Sequence, residues 1–159
     1  MPPARRPKIF SKGEFLFGIA GTVANSQVLS HGFAIPPIVE GQDHMTYLVS
    51  EFAPAFRKKL KELGLSKIRD GQEDVGLNFL MGFRGRLFDF SGDLSFTECV
   101  EGYDAVGSGE EFALGVLHSY QNDKKSKPEN IIQKALEAAE HHNPYVSGPF
   151  EIISGAEAK

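Results

Sequence analysis

The stretch AVGSGEEFALG, residues 105–115, places a serine between two glycines at the point where a helix is expected to begin. Glycine is conformationally costly in an ordered segment, so two glycines within three positions need a physical reason. The first turn of a helix exposes unpaired N–H groups and a partial positive charge. The pattern therefore predicts either that Ser108 caps the helix or that the loop 107–109 holds an anion or oxyanion at its start.

Composition limits the chain to a few classes of protein. With 159 residues, of which 41% are apolar, the chain can form one compact domain with a substantial core. Seventeen basic and 21 acidic residues give a net charge of -4, which argues against nucleic acid or an anionic membrane as the main partner. A single cysteine, Cys99, excludes an intrachain disulfide and fits a reducing compartment. We expect a soluble, cytoplasmic protein without a signal peptide or spanning helix.

The apolar pattern predicts one domain over residues 8–154, with flexible ends at 1–7 and 155–159. Its elements are two strands, two helices, three strands, two helices and one strand, in that order. The first two strands meet near Lys12-Gly13, and the second of them ends at Ala20. Two helices follow over 23–31 and 45–63, and then a hairpin of 75–83 and 86–90 and a strand within 95–106. The last elements are a helix from Ser108, a helix to about His141 and a strand over 148–153.

Two local signals refine this order. Ser126 and Glu129 have the spacing of a capping box at the start of the last helix. Pro54 lies inside the second helical pattern and implies a kink, and Gly64 follows it as a candidate C-cap. Segregated helix pairs and strand groups favour an α+β layered domain over an alternating parallel sheet.

Three segments together resemble one family, the proteasome β-type subunits and their HslV-like and Anbu-like relatives, which are N-terminal-nucleophile threonine peptidases. These segments are FLFGIAGT at 15–22, AVGSGEEFALG at 105–115 and HNPYVSGPFEII at 142–153. The resemblance covers residues 8–153 and implies a four-layer αββα sandwich of the Ntn-hydrolase type. It also implies a peptide or unfolded-protein substrate, a homo-oligomeric ring and an unfoldase ATPase as a possible partner, with no cofactor and no metal.

The resemblance implies catalytic roles for Lys8 and Gly21. Gly21 matches the residue whose backbone N–H forms the oxyanion hole, where a side chain would crowd the scissile carbonyl. Lys8 matches the lysine that lowers the pKa of the nucleophile's amine. If the alignment shifts, Arg6 takes that place, and arginine can supply charge but no proton transfer.

Four further positions carry implied roles. Ser108 matches the serine that hydrogen-bonds near the nucleophile's amine, which makes the glycines beside it a means of close approach. Asn143 falls where many β subunits have aspartate, and an asparagine can orient a partner but cannot share a proton. Ile19 and Thr22 are expected to contact the substrate, with Ile19 lining the pocket for its side chain.

The start of the chain departs from the family pattern. The family's mature chains begin with the nucleophilic threonine, whereas this sequence begins Met1-Pro2-Pro3 and has no threonine before Thr22. Two leading strands are therefore expected to be missing, through truncation or a mis-assigned start codon, and the chain as given is expected to be inactive. Cleavage between Gly21 and Thr22 is disfavoured because it would sever Lys8 and a buried strand from the domain.

Other constellations have simpler explanations. His118, Glu140, His141 and His142 contain metal-ligand types, but adjacent histidines at a helix end point apart and complement the helix dipole. The alternatives that remain open are a non-catalytic structural or assembly subunit of the same fold and a monomeric binding or amidohydrolase-like domain. Three prolines in the first seven residues disfavour the extra N-terminal helix of the α-type subunits.

Overall fold

The computed structural model describes residues 7–155, so Arg6 and most of the predicted flexible ends lie outside the described residues. Contacts group the described residues into two compact units. The first unit holds 7–20, 78–90 and 97–155, and the second holds 21–77 and 91–96. The prediction of one domain over 8–154 stays a prediction. No helix within residues 7–155 is long and apolar enough to cross a membrane.

Most of the strands form one five-stranded sheet. The strands within the described residues are β1 (Ile9–Lys12), β2 (Phe15–Gly21), β3 (Lys67–Arg69), β4 (Gln72–Asp74), β5 (Leu77–Phe83), β6 (Arg86–Phe90) and β7 (Phe96–Glu98). The sheet order is β1-β2-β5-β6-β7, and β3 pairs with β4 separately. The pairs β1–β2 and β5–β6 are antiparallel hairpins, as the sequence predicts.

One face of the sheet is an aromatic core. In β2 the side chains of Phe15, Phe17 and Ile19 are buried, and the residues between them are only half-buried. Phe79 and Phe90 lie opposite each other in β5 and β6, and their stacked rings are 4.5 Å apart. Burying each such side chain contributes about 2–3 kcal/mol. The phenylalanine side chains of these strands therefore form part of the hydrophobic core.

The turn of the β5–β6 hairpin has the predicted chemistry. Arg84 and Gly85 both have positive φ angles, 50° and 74°. A two-residue hairpin loop with positive φ at both positions matches the twist of the flanking strands. Glycine adopts this conformation without penalty at the second position.

The second unit contains the first two predicted helices. The first is α1 (Val23–Gln27), which continues as a π-helical turn over Val28–Gly32. The second is a longer run that consists of α2 (His44–Tyr47), a π-helical turn over Leu48–Phe52 and α3 (Ala53–Glu62). The π-helical turn over Leu48–Phe52 ends two residues before Pro54, which has no N–H to donate to the preceding turn. Gly64, with φ of 68°, follows the end of α3 as predicted.

The β3–β4 hairpin was not predicted. Its turn is Asp70-Gly71, with φ angles of 49° and 79°, and Asp-Gly is a pair that favours this turn. The flanking residues KIR and QED are exposed or half-buried and are polar except for Ile68, so they carry no alternating apolar signal. The turn residues alone could have indicated this hairpin.

The first unit also contains α4 (Glu110–Ser119) and α5 (Pro128–His142). The buried positions in these helices are small, namely Ala113, Ala135 and Ala139. The larger apolar side chains of α4 are exposed or half-buried, namely Phe112, Leu114, Val116 and Leu117.

Two predictions are wrong, one for the start of α5 and one for the segment that follows it. Ser126 does not cap the helix because its hydroxyl donates to the carboxylate of Asp123 at 2.7 Å, and Lys127 occupies the N-cap. Residues 148–153 form no strand. The Gly148 N–H donates to the Glu140 carboxylate at 2.8 Å, and Pro149 has no N–H to give to a ladder.

Candidate functional site

The loop 107–109 is closed by Glu110 rather than by Ser108. The Glu110 N–H donates to the Gly107 carbonyl at 3.2 Å, and the Gly107 N–H donates to Glu110 Oε2 at 3.2 Å. The Glu110 carboxylate thus supplies only the glutamate half of a capping box, because a glycine has no side chain to return the bond. The N-cap of α4 is Gly109, and no side chain caps this helix. The Ser108 side chain is exposed and has no hydrogen-bond partner within residues 7–155. A glutamate three residues after Gly107 was the sequence signal that could have identified this hydrogen bond.

Asn143 holds the backbone of the same loop. Its Nδ2 donates to the Ser108 carbonyl at 2.5 Å, and its Oδ1 accepts from the Tyr145 N–H at 2.9 Å. Its own N–H donates to the Ala139 carbonyl at the end of α5. The side-chain amide thus joins the loop before α4 to the segment after α5. The structure brings Ser108 and Asn143 together, with contact through the Ser108 backbone.

Gly109 is required by close packing. A Cβ atom at this position would lie 2.8 Å from Val146 Cγ2 and 2.9 Å from Ala139 Cβ, which is closer than real Cβ atoms approach. Gly107 has φ of 111°, a conformation that other residues rarely adopt. Its backbone also approaches Ala20, because a Cβ on Gly107 would lie 3.5 Å from the Ala20 Cβ. The two glycines therefore let residues 107–109, the serine loop, pack against β2 and α5.

Lys8 lies opposite Ile19 at the start of β1. The Lys8 carbonyl accepts a hydrogen bond from the Ile19 N–H at 2.7 Å. Lys8 is exposed, whereas Ile19 is only 8% exposed and shares its face of β2 with Phe15 and Phe17. Little of the Ile19 side chain is therefore accessible to a ligand. Within the described residues no hydrogen bond joins the Lys8 side chain to Ser108 or Asn143.

Gly21 and Thr22 belong to the second unit. Gly21 has φ of 136°, and a Cβ atom there would collide with the Gly76 carbonyl oxygen. This backbone contact gives a reason for glycine that is independent of any substrate. The Thr22 N–H donates to the same carbonyl at 2.9 Å. Thr22 is exposed and occupies the N-cap of α1, but its hydroxyl makes no capping hydrogen bond.

Acidic side chains interact with one another in the first unit. Burial raises the pKa of the Asp89 carboxyl, and the negative charges of Asp104 and Glu110 raise it further. Burial also raises the pKa of the Cys99 thiol to about 12, and its hydrogen bond to Asp104 Oδ2 at 2.9 Å acts in the same direction. Within residues 7–155 no group of three or more His, Cys, Asp or Glu residues could hold a metal ion.

Comparisons with known proteins connect this fold to solved structures. No model of a known protein family matches the chain, and no curated protein sequence matches it. The structure is similar to Thiobacillus denitrificans BPH in complex with epoxomicin, with a TM-score of 0.70 and 18% identity over 90% of this chain and 75% of that one.

Two further solved structures have the same fold. The eukaryotic HslV from Trypanosoma brucei matches with a TM-score of 0.57 and 16% identity, covering 88% of this chain and 75% of that one. Anbu, described as an ancestral beta-subunit, from Yersinia bercovieri matches with a TM-score of 0.59 and 14% identity, covering 91% of this chain and 68% of that one. The chain therefore has the α+β fold of HslV- and Anbu-type proteasome-like subunits, and the predicted relation is confirmed at the level of fold.

Proposed function

We propose that this chain is a subunit of a proteasome-like threonine peptidase, which hydrolyses peptide bonds in peptides or unfolded proteins. The observation that carries the proposal is the similarity in fold, which extends over 90% of the chain at a TM-score of 0.70. The junction 107–109 adds support, because it presents an exposed Ser108 on a backbone fixed by Asn143 and Glu110.

Each proposed site residue has a separate role. The Lys8 ammonium stabilises the neutral form of a nearby amine by charge repulsion and so favours it as a base. The Gly21 N–H donates to the oxyanion of the attacked carbonyl. The Ser108 hydroxyl hydrogen-bonds near the nucleophile's amine, and Asn143 keeps its backbone in place. Thr22 and the accessible part of Ile19 contact the substrate.

The 159-residue polypeptide supplies no threonine at its N-terminus, since it begins Met1-Pro2-Pro3. A threonine peptidase of this type needs the hydroxyl as nucleophile and the α-amine of the same residue as base. We therefore expect the 159-residue polypeptide to be inactive. We further propose that the subunit assembles into a homo-oligomeric ring in the cytoplasm, where an unfoldase ATPase supplies unfolded substrate.

Hydrolysis of a fluorogenic peptide tests this proposal. We expect no turnover by the 159-residue protein, and turnover sensitive to epoxomicin when a two-stranded segment beginning with threonine precedes Lys8. The matched control is the same extended protein with its first threonine replaced by alanine, which should be inactive. Epoxomicin-sensitive turnover by the 159-residue protein would contradict the expected inactivity. A folded extended protein without such turnover would overturn the peptidase function.

A further inference from the structure

We propose that Glu140 is a positioning residue for the Ser108 loop, and this inference rests on the proposed function of that loop. Glu140 lies in the last turns of α5, and its Oε1 accepts a hydrogen bond from the Gly148 N–H at 2.8 Å. The bond closes the segment 143–148 back onto the helix that it leaves. Without this bond, the far end of the segment loses its tie to α5.

The near end of the segment is already anchored. The Asn143 N–H donates to the Ala139 carbonyl at 2.9 Å, and the Val146 N–H donates to the Asn143 carbonyl at 3.1 Å. The Tyr145 N–H donates to Asn143 Oδ1 at 2.9 Å. These bonds and the Glu140 bond together fix residues 143–148 as one closed loop, so a change at Gly148 is transmitted to Val146 and Asn143.

The closed loop contacts the serine loop at two points. Asn143 Nδ2 donates to the Ser108 carbonyl at 2.5 Å, which fixes the backbone that carries the serine hydroxyl. Val146 Cγ2 packs so closely on Gly109 that a Cβ there would be only 2.8 Å away. A shift of the 143–148 loop therefore moves Ser108 through a hydrogen bond and through a packed contact. Among residues 7–155, no hydrogen bond joins Glu140 to Ser108 or Gly109, so its effect on them is indirect.

The function of Glu140 here requires an acceptor oxygen but no negative charge. Glutamine offers an acceptor oxygen on a side chain of the same length, whereas alanine offers none. Glu140→Gln should therefore keep the loop closed, and Glu140→Ala should open it. Glu137 provides the matched control because it lies one turn earlier on α5 and its carboxylate bonds Gln133 of the same helix.

Nuclear magnetic resonance of the ¹⁵N-labelled 159-residue protein tests the inference without any need for activity. In Glu140→Ala we expect the amide signals of Gly148, Ser108 and Gly109 to shift. We also expect exchange of the Asn143 side-chain amide to accelerate about fivefold, the factor that corresponds to one ordinary hydrogen bond. Glu140→Gln and Glu137→Ala should leave the Ser108 signal and the Asn143 exchange rate unchanged.

The outcomes separate positioning from structural damage and from the proposed chemistry. Unchanged signals of Phe79 and Phe88 in the sheet would establish that Glu140→Ala is folded. If Gly148 shifts in that folded variant while Ser108 and Asn143 do not, the inference is overturned. A failure of the peptidase assay with the extended protein, together with the expected shifts, would overturn the function and leave the positioning role intact.

Discussion

At the scale of single residues, Gly109 is constrained by packing alone. Its φ and ψ angles, -100° and 8°, are accessible to alanine, so only packing against Val146 and Ala139 demands glycine. We expect Gly109→Ala to lower the free energy of unfolding by about 1–3 kcal/mol through overpacking. Urea denaturation measures this change.

Gly115 is the matched control for that substitution. It lies within α4, and a Cβ atom there would meet nothing within 4 Å. Alanine is the better helix former, so Gly115→Ala should raise the free energy of unfolding by up to about 1 kcal/mol. Equal effects of the two substitutions would contradict the packing explanation for Gly109.

Asp89 gives a pH-dependent prediction. Because its pKa in the folded protein is raised by burial and by Asp104 and Glu110, the folded protein binds its proton more tightly than the unfolded chain does. The free energy of unfolding therefore falls as the pH rises from the ordinary value of 3.8 through the raised pKa. Asp89→Asn should raise the urea midpoint at pH 7, and this gain should vanish below pH 3.8.

Asp93 supplies a comparison of opposite sign. The Ser95 hydroxyl, which donates to the Asp93 carboxylate at 2.6 Å, lowers the pKa of that carboxyl. Its contribution to stability is present above the ordinary pKa and is lost as the pH falls through the lowered one. Asp93→Asn should therefore lower the midpoint at pH 7. If both variants shifted the urea midpoint at pH 7 in the same direction, the raised pKa of Asp89 would be contradicted.

The sequence identified sterically constrained positions better than it explained them. Gly107 and Gly109 are recognisable because a glycine pair before a helix signals close approach, and the structure supplies Ala20, Ala139 and Val146 as the neighbours. Glu140 could not be identified from the sequence. Its partner, the Gly148 N–H, is a backbone group whose position depends on the path of the loop after α5.

At the scale of elements, the β3–β4 hairpin is held to α3 by one carboxylate. Glu73 lies 2.9 Å from Arg57 Nε and 3.5 Å from Lys61 Nζ, and it accepts from the Ser66 hydroxyl at 2.7 Å. Burial raises the pKa of Glu73, but the Ser66 hydrogen bond and the two cations lower it further, so the net shift is downward. Its pairing therefore stabilises the hairpin at neutral pH and is lost as the pH falls through the lowered pKa.

We expect Glu73→Gln to accelerate amide hydrogen exchange of residues 67–74 at pH 7, because glutamine loses the attraction to both cations. At a pH below the lowered pKa, the variant and the natural protein should exchange at the same rate. Glu62→Gln is the control, since Glu62 is exposed and lies 4.0 Å from Lys58, and such surface pairs contribute little. A pH-independent difference for Glu73→Gln would contradict an electrostatic role.

Elements with strong local signals were predictable. The β5–β6 hairpin combines apolar strands with a turn that suits Arg84-Gly85, so local sequence and long-range packing agree. The predicted strand over 148–153 failed because extended apolar residues also need a strand to pair with. Here the Gly148 N–H is committed to Glu140 instead.

At the scale of the whole molecule, self-association is the main prediction. If the proposed ring forms, light scattering at micromolar concentration should give a mass several times that of one 159-residue chain. The extended protein used in the peptide assay is the comparison, because additional strands change the surface available for assembly. A monomer in both cases would remove the ring from the proposed function.

The fold class was predictable, although the similar solved structures share only 14–18% sequence identity, because short junctions with steric constraints are recognisable in this sequence. The segment FLFGIAGT contains Gly21, where the Gly76 carbonyl leaves no room for a side chain. The loop 107–109 contains Gly109, where Val146 leaves no room for one. The grouping of contacts into two units was not predictable. It depends on which distant segments pack together, and no local pattern encodes that.

The burial of Cys99 and its hydrogen bond to Asp104 have a practical consequence for work with this protein. Because the pKa of the thiol is raised to about 12, very little of it is present as the reactive thiolate at pH 7. Maleimide dyes and spin labels should therefore react only slowly with Cys99. A cysteine introduced on an exposed surface can then be labelled selectively, so Cys99 need not be replaced before spectroscopic probes are attached.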